Sequence, residues 1–283
     1  MLLSEAIDYA GLFPPASLSM TDAVHEYAAV RLADDAWALG RFVVSAARLD
    51  ELATVLTASA TPNGSAWRLS VLAGGAPHED VARVRVHNAR EAARSVVECV
   101  EALAATREEA LKLSAFVSEG LETYVEVPLA ADPESVLGAV HYIGARAKVR
   151  TGGVTAEAFP LPADILRFLR GCRYAGVSFK ATAGLHHPFR NTSPETGTVM
   201  HGFLNVFSAG VLAHSVGMTD DEITYILDDY IPEHFVFTDT ELTWFEYTAP
   251  LDRIERARKN FITSFGSCSF TEPVNDLKSL NLL

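Results

Sequence analysis

Short apolar runs rich in Val and Phe recur along the chain, each ending in polar or glycine residues and most of them followed by a helical pattern. Seven such runs read as strands: 41–45, 68–72, 95–100, 123–128, 147–151, 177–182 and 234–238. Between them lie amphipathic stretches at 104–119, 132–143, 160–173 and 219–230, some opening on a capping residue such as Asp132 or Thr219. Strand alternating with helix predicts parallel βαβ units. With an eighth strand in the N-terminal segment 7–13, the pattern closes a (β/α)8 barrel, a single domain over 1–283 whose end segments, 1–16 and 264–283, line or close it. Val84–His87 also reads as a strand but leaves no room for a helix before it. An open doubly wound sheet would alternate similarly. However, no Gly-x-Gly-x-x-Gly follows the first strand, and the polar strand ends are spread over many strands instead of meeting at one switch point.

Composition narrows the function classes. The 283 residues are 49% hydrophobic, enough for one large core, with a formal charge of −13 and no long acidic or basic run. That balance argues against nucleic acid and anionic membranes as partners. The apolar stretch 202–218 is interrupted by Asn205, Ser208, His214 and Ser215, so it does not read as a membrane span. Cys99, Cys172 and Cys268 share no CxxC spacing and leave one unpaired, which fits a reducing cytoplasm. Homo-oligomerisation stays open.

Lysine is scarce: five lysines stand against eighteen arginines, so a plain positive charge is usually written as Arg. Lys148 and Lys180 lie in apolar strands, where a buried amine can lose the proton that guanidinium keeps. Residues two apart share a strand face, which groups Lys148 with Arg150 and Lys180 with Thr182. Glu98 and Glu126, also set among apolar residues, are the candidate carboxylates on neighbouring strands. The expectation is that Glu98, Glu126, Lys148 and Lys180 converge on one pocket at the C-terminal mouth, with the Lys180 pKa depressed by desolvation and like charge, and with Glu126 moving the substrate α-proton. The competing reading makes all four structural ion pairs across barrel layers.

Two segments, Lys148-Val-Arg-Thr-Gly-Gly153 and Phe179-Lys-Ala-Thr-Ala-Gly184, are separated by a helix, with their lysines 32 residues apart. Over about residues 146–185 the chain resembles class I aldolases of the deoxyribose-phosphate aldolase type. The resemblance implies that Lys180 forms the Schiff base, with Thr182 and Gly184 in the turn after it, and that no cofactor is needed. Arg150 stands where that family has a glutamate, and the family's further downstream strand-end lysine has no equivalent here. Proton shuttling would then fall to Lys148, Glu126 or a histidine.

The irregular stretch 184–197 follows Lys180 and carries His186, His187 and Arg190; a loop of that length after a barrel strand reads as a lid. With Arg41, Arg150, Thr182 and Asp8, these residues are the candidate contacts to the substrate of a carbon–carbon lyase, a small anionic or polyhydroxylated carbonyl compound. A second reading is a metal-dependent lyase or isomerase, a divalent metal being held by Glu98, Glu126, His186 and His187. A third is a barrel that binds a metabolite without catalysis. The segments 8–16 and 264–273 read as loops lining the site, and Asn205 stands out in an otherwise apolar helix.

Overall fold

The computed structural model describes residues 2–59, 65–130, 133–193 and 197–283. Eight parallel strands close a barrel: β1 (Ile7–Tyr9), β2 (Leu39–Ser45), β3 (Trp67–Leu72), β4 (Ser95–Leu103), β5 (Glu122–Glu126), β6 (Arg146–Arg150), β7 (Phe179–Thr182) and, after five strands that lie outside the barrel, β13 (Ile262–Ser267). β1 pairs with β13 on one side and β2 on the other, so the sheet has no free edge. This is the (β/α)8 architecture that the strand and helix alternation predicts.

The surrounding helices include α1 (Met20–Val30), α2 (Leu49–Ala58), α3 (Pro77–Glu91), α4 (Arg107–Lys112), α5 (Ser114–Val117), α6 (Glu134–Tyr142) and α7 (Pro162–Ala175). The longer ones offer the barrel an apolar stripe, while α4 and α5 bury Ala110 and Phe116 alone. On α7 the stripe is Ile165, Phe168, Leu169 and Cys172, with Phe168 edge-on to Phe179 of β7. Helix α7 ends on Gly176 in the left-handed conformation, φ 66°, the usual helix stop before a strand. The Val84–His87 run is helical. It falls inside α3, where Val84 and His87 share the buried face and Val86 is exposed, a helical and not an alternating pattern. The Asp132 cap lies outside the described residues.

The N-terminal segment 7–13 supplies barrel strand β1, but the last strand of the barrel is displaced from its expected place at 234–238. Residues 235–237 form not a barrel strand but β10, part of an antiparallel sheet with β11 (Glu241–Trp244) and β12 (Tyr247–Pro250). That sheet belongs to a long excursion between β7 and β13, together with the hairpin β8 (Asn191–Thr192) and β9 (Val199–Met200), and the helices α8 (Phe203–Ser215), α9 (Asp220–Asp228) and α10 (Leu251–Asn260). Helix α8 is buried all round from Phe203 to Ala213; among the described residues no helix is long and apolar enough to cross a membrane. Asn205 holds the excursion together. Its side chain accepts from the Arg190 amide and donates to the carbonyls of Ile226 and Asp229. The Thr219 cap is present, closing a box with Glu222. After β13 the chain ends in α11 (Thr271–Ser279).

Candidate active site inside the barrel

Three bulges organise the barrel interior. Opposite β1, β2 spends three residues where β1 spends two; β4 gains a residue against β3 between Val97 and Cys99; and β13 gains one against β7 between Ile262 and Phe265. A bulge places two consecutive side chains on one face. Glu98 meets Arg41 and Arg68, while the Sγ of its neighbour Cys99 lies 3.3 Å from Ser70 Oγ, so both face the axis. Thr263 meets Tyr124, while its neighbour Ser264 donates to Asp8. Gly40 and Arg41 behave alike: a Cβ on Gly40 would lie 2.4 Å from Asp8 Oδ1, so the residue must be glycine.

The bulges divide the interior into two charged storeys. The lower one, toward the N-terminal ends of the strands, holds Glu5, Arg68, Glu98, Arg41, Glu122 and Arg146, linked by ion pairs of 2.6–3.4 Å. Tyr124 forms its ceiling, its hydroxyl donating to Glu122 and its ring lying 5.2 Å below Lys180 Nζ. Burial, reinforced by Glu122, raises the Tyr124 pKa and keeps the phenol protonated.

The upper storey is the candidate site. Glu126, Lys148 and Lys180 stand side by side in direct register on β5, β6 and β7. Lys180 Nζ donates to Asp8 Oδ2 and to Glu101 Oε1, both at 2.6 Å. Lys148 Nζ lies 2.7 Å from Glu101 Oε2 and 2.9 Å from Glu126 Oε2, and Arg150 reaches Glu126 Oε1 at 3.1 Å. Ser70 and Ser264 donate to Glu101 and Asp8, so the carboxylates are satisfied on further sides. Burial deepens from rim to floor: the Arg150 side chain is 51% exposed, that of Glu126 16%, that of Lys180 1%.

Charge pairing overrides burial here. Burial alone would push the Lys180 amine toward its neutral form, but Asp8 and Glu101 outweigh it and hold the pKa well above the ordinary lysine value. The expected depression of that pKa is therefore reversed, because the nearest charges to Lys180 are two carboxylates and not Lys148 or Arg150. Burial would raise the Glu101 carboxyl, yet the two lysines hold it far below the usual carboxylate range. Glu126 is likewise lowered, Lys148 and Arg150 outweighing its burial. Cys99, buried below Lys180, is pushed up to about 12 and stays a thiol.

Of the residues expected to meet at the mouth, Lys148, Lys180 and Glu126 do so, with Arg150 at the rim and Asp8 on the floor. Glu98 does not. It sits five residues before Leu103, the partner of Glu126, about 16 Å down the strand at ~3.3 Å per residue, in the lower storey with Arg41. The carboxylate that takes its place is Glu101, beyond the bulge, where the inward parity of β4 has switched. Strand β4 reaches Leu103, and three residues of it past the expected end carry this signal. Thr182 ends β7. The Thr151 hydroxyl donates to Ala183 O, and Gly152 packs against Gly184 so closely that a Cβ on Gly152 would lie 2.9 Å from the Gly184 Cα. Arg190 is buried in the excursion, 2.6 Å from Asp228 and 3.2 Å from His201.

The two adjacent histidines turn to α11: His186 Nδ1 lies 2.9 Å from Glu272 and His187 Nδ1 2.6 Å from Asp276. Glu98, Glu126, His186 and His187 thus occupy separate places, and no group of three or more metal-binding side chains forms among the described residues. No protein-family model matches the chain, and neither does any curated protein.

Proposed function

We propose that the chain is an enzyme, a lyase of the class I aldolase type that works on a small anionic carbonyl compound through an imine at Lys180. The observation that carries the reading is the position of Lys180, the deepest lysine of the barrel, between two carboxylates at 2.6 Å. Three carboxylates and three cations buried or half-buried in one layer are costly for a fold to hold, and a strongly perturbed cluster on the C-terminal side of a barrel is where such chemistry is built. Lys180 rests as an ammonium. In the imine step its proton passes to Asp8 or Glu101, the amine attacks the carbonyl carbon, and water leaves. Lys148 stays charged beside the developing negative charge, Glu126 moves the α-proton, and half-exposed Arg150 takes the substrate anion. The likeness of Phe179-Lys-Ala-Thr-Ala-Gly184 to the aldolase lysine strand supports the same assignment. Three buried free cysteines suit work in a reducing cytoplasm.

The raised Lys180 pKa favours one second reading, a lyase or isomerase in which both lysines remain ammonium ions that stabilise an enolate without a covalent bond. Borohydride reduction with a panel of short aldehydes and ketones, with and without carboxylate or phosphate groups, separates the two. A reduced adduct mapped to Lys180 supports the imine. Substrate turnover with no adduct supports the enolate reading.

A further inference from the structure

We infer that His186 is the acid–base residue of the proposed cleavage and that Glu272 is the residue that positions it; this rests on the imine reading of Lys180. His186 and His187 are adjacent, and both send Nδ1 to carboxylates of α11, but the two pairs are not equivalent. In this barrel α11 follows β13, so its first turn lies at the C-terminal mouth and the helix runs away from it. Glu272 is in that first turn, held by a contact of its amide with Ser269 Oγ, whereas Asp276 lies four residues on, ~6 Å farther along the helix at 1.5 Å per residue. His186 is accordingly the histidine at the mouth, and His187 a tether outside it.

The Glu272 contact puts the proton of neutral His186 on Nδ1 and leaves the Nε2 lone pair free. Nε2 has no partner among the described residues and is not among the buried atoms that lack one, so it is open to solvent. Glu101 and Asp8, in contrast, are occupied by the lysines, and Glu126 by Lys148 and Arg150. The substrate of such a cleavage is a β-hydroxy carbonyl compound, and its hydroxyl needs a base beyond the ion-paired layer. In its iminium form, His186 Nε2 takes the hydroxyl proton, the Cα–Cβ bond breaks, and its electron pair moves through Cα to the iminium nitrogen to give an enamine as the aldehyde leaves. The proton held by His186 is relayed through Glu126 to Cα, and water hydrolyses the imine to free Lys180.

The test combines nitrogen-15 NMR of the resting protein with kinetics on the β-hydroxy carbonyl compound that traps best. The Nδ1–H tautomer is expected at His186. His186→Gln should lower kcat by about 10²–10⁴-fold with KM little changed and the Lys180 adduct retained. Glu272→Gln should lower kcat by a smaller factor and redistribute the tautomer, while Asp276→Asn leaves kcat unchanged. An Nε2–H tautomer at His186, or an adduct-forming His186→Gln variant with undiminished kcat, overturns this inference alone. Absence of any adduct at Lys180 overturns the imine reading beneath it as well.

Discussion

Lys148 and Lys180 stand opposite each other on adjacent strands, and Glu101 lies between them with one carboxylate oxygen on each ammonium. Neither lysine would tolerate the other without it, since like charges side by side in a protein interior repel strongly. Glu101 is therefore the hinge of the electrostatics, and both the stability and the chemistry of the barrel turn on it.

Glu101→Gln should destabilise the fold by about 3–5 kcal/mol, because it strands buried charge. Glu98→Gln should cost less than about 1 kcal/mol, since the Glu98 side chain is 38% exposed among arginines that keep other partners. Urea unfolding of the two variants checks the difference. Equal losses would mean that the two storeys are not distinct.

Lys180→Arg keeps the charge and removes the titratable amine, so imine trapping should vanish and turnover should fall by orders of magnitude in a folded protein. Lys180→Met should in addition lose about 3–5 kcal/mol of stability, leaving Asp8 and Glu101 without their cation. Full turnover in Lys180→Arg would remove the imine assignment.

The pH dependence has two limbs. Glu101 and Glu126 have depressed pKa values in the folded protein, so their stabilisation is complete above the ordinary carboxylate pKa of ~4.3 and is lost as pH falls toward the folded values. Lys180 has a raised one, so its contribution is complete below ~10.4 and is lost as pH rises toward its folded value. Urea midpoints measured from pH 3 to 11 should show a plateau between these limits, and Glu101→Gln should flatten the acid limb. The yield of trapped imine should rise between pH 7 and 10, as the neutral amine becomes accessible.

Asn205→Ala should unlatch the excursion. It leaves the Arg190 amide and the carbonyls of Ile226 and Asp229 without their side-chain partner, at about 1–3 kcal/mol for each that stays dry. Hydrogen exchange is expected to quicken in α8 and α9 before the barrel strands. Unchanged exchange there would show that apolar packing alone holds α8.

Much of this was legible from the residues. Period-two and helical patterns place β2 to β7, and lysine scarcity points to Lys148 and Lys180, which the register then aligns. The misassigned strand at 234–238 has a physical cause: Phe235–Phe237 and Ile262–Ser267 are both short runs of strand-forming residues, and only the parallel pairing of the second with β1 and β7 tells them apart. Glu101 escaped for a related reason. Alternation assumes an unbroken pleat, and nothing in Val-Val-Glu-Cys-Val announces an extra residue. The orientation of His186 and His187 depends on carboxylates 86 and 89 residues away, a distance no local pattern spans.

The bulge in β4 makes the site depend on counting as much as on chemistry. A regular strand cannot turn Glu98 and Glu101 to the same side, because three is an odd number of steps. Straightening that bulge with no residue removed would leave every acid in the chain and still, with Glu98 held inward, swing Glu101 out among the helices, leaving two lysines in the interior with nothing between them. Substitution scans would miss that vulnerability, since it belongs to the register of the strand and to none of its side chains.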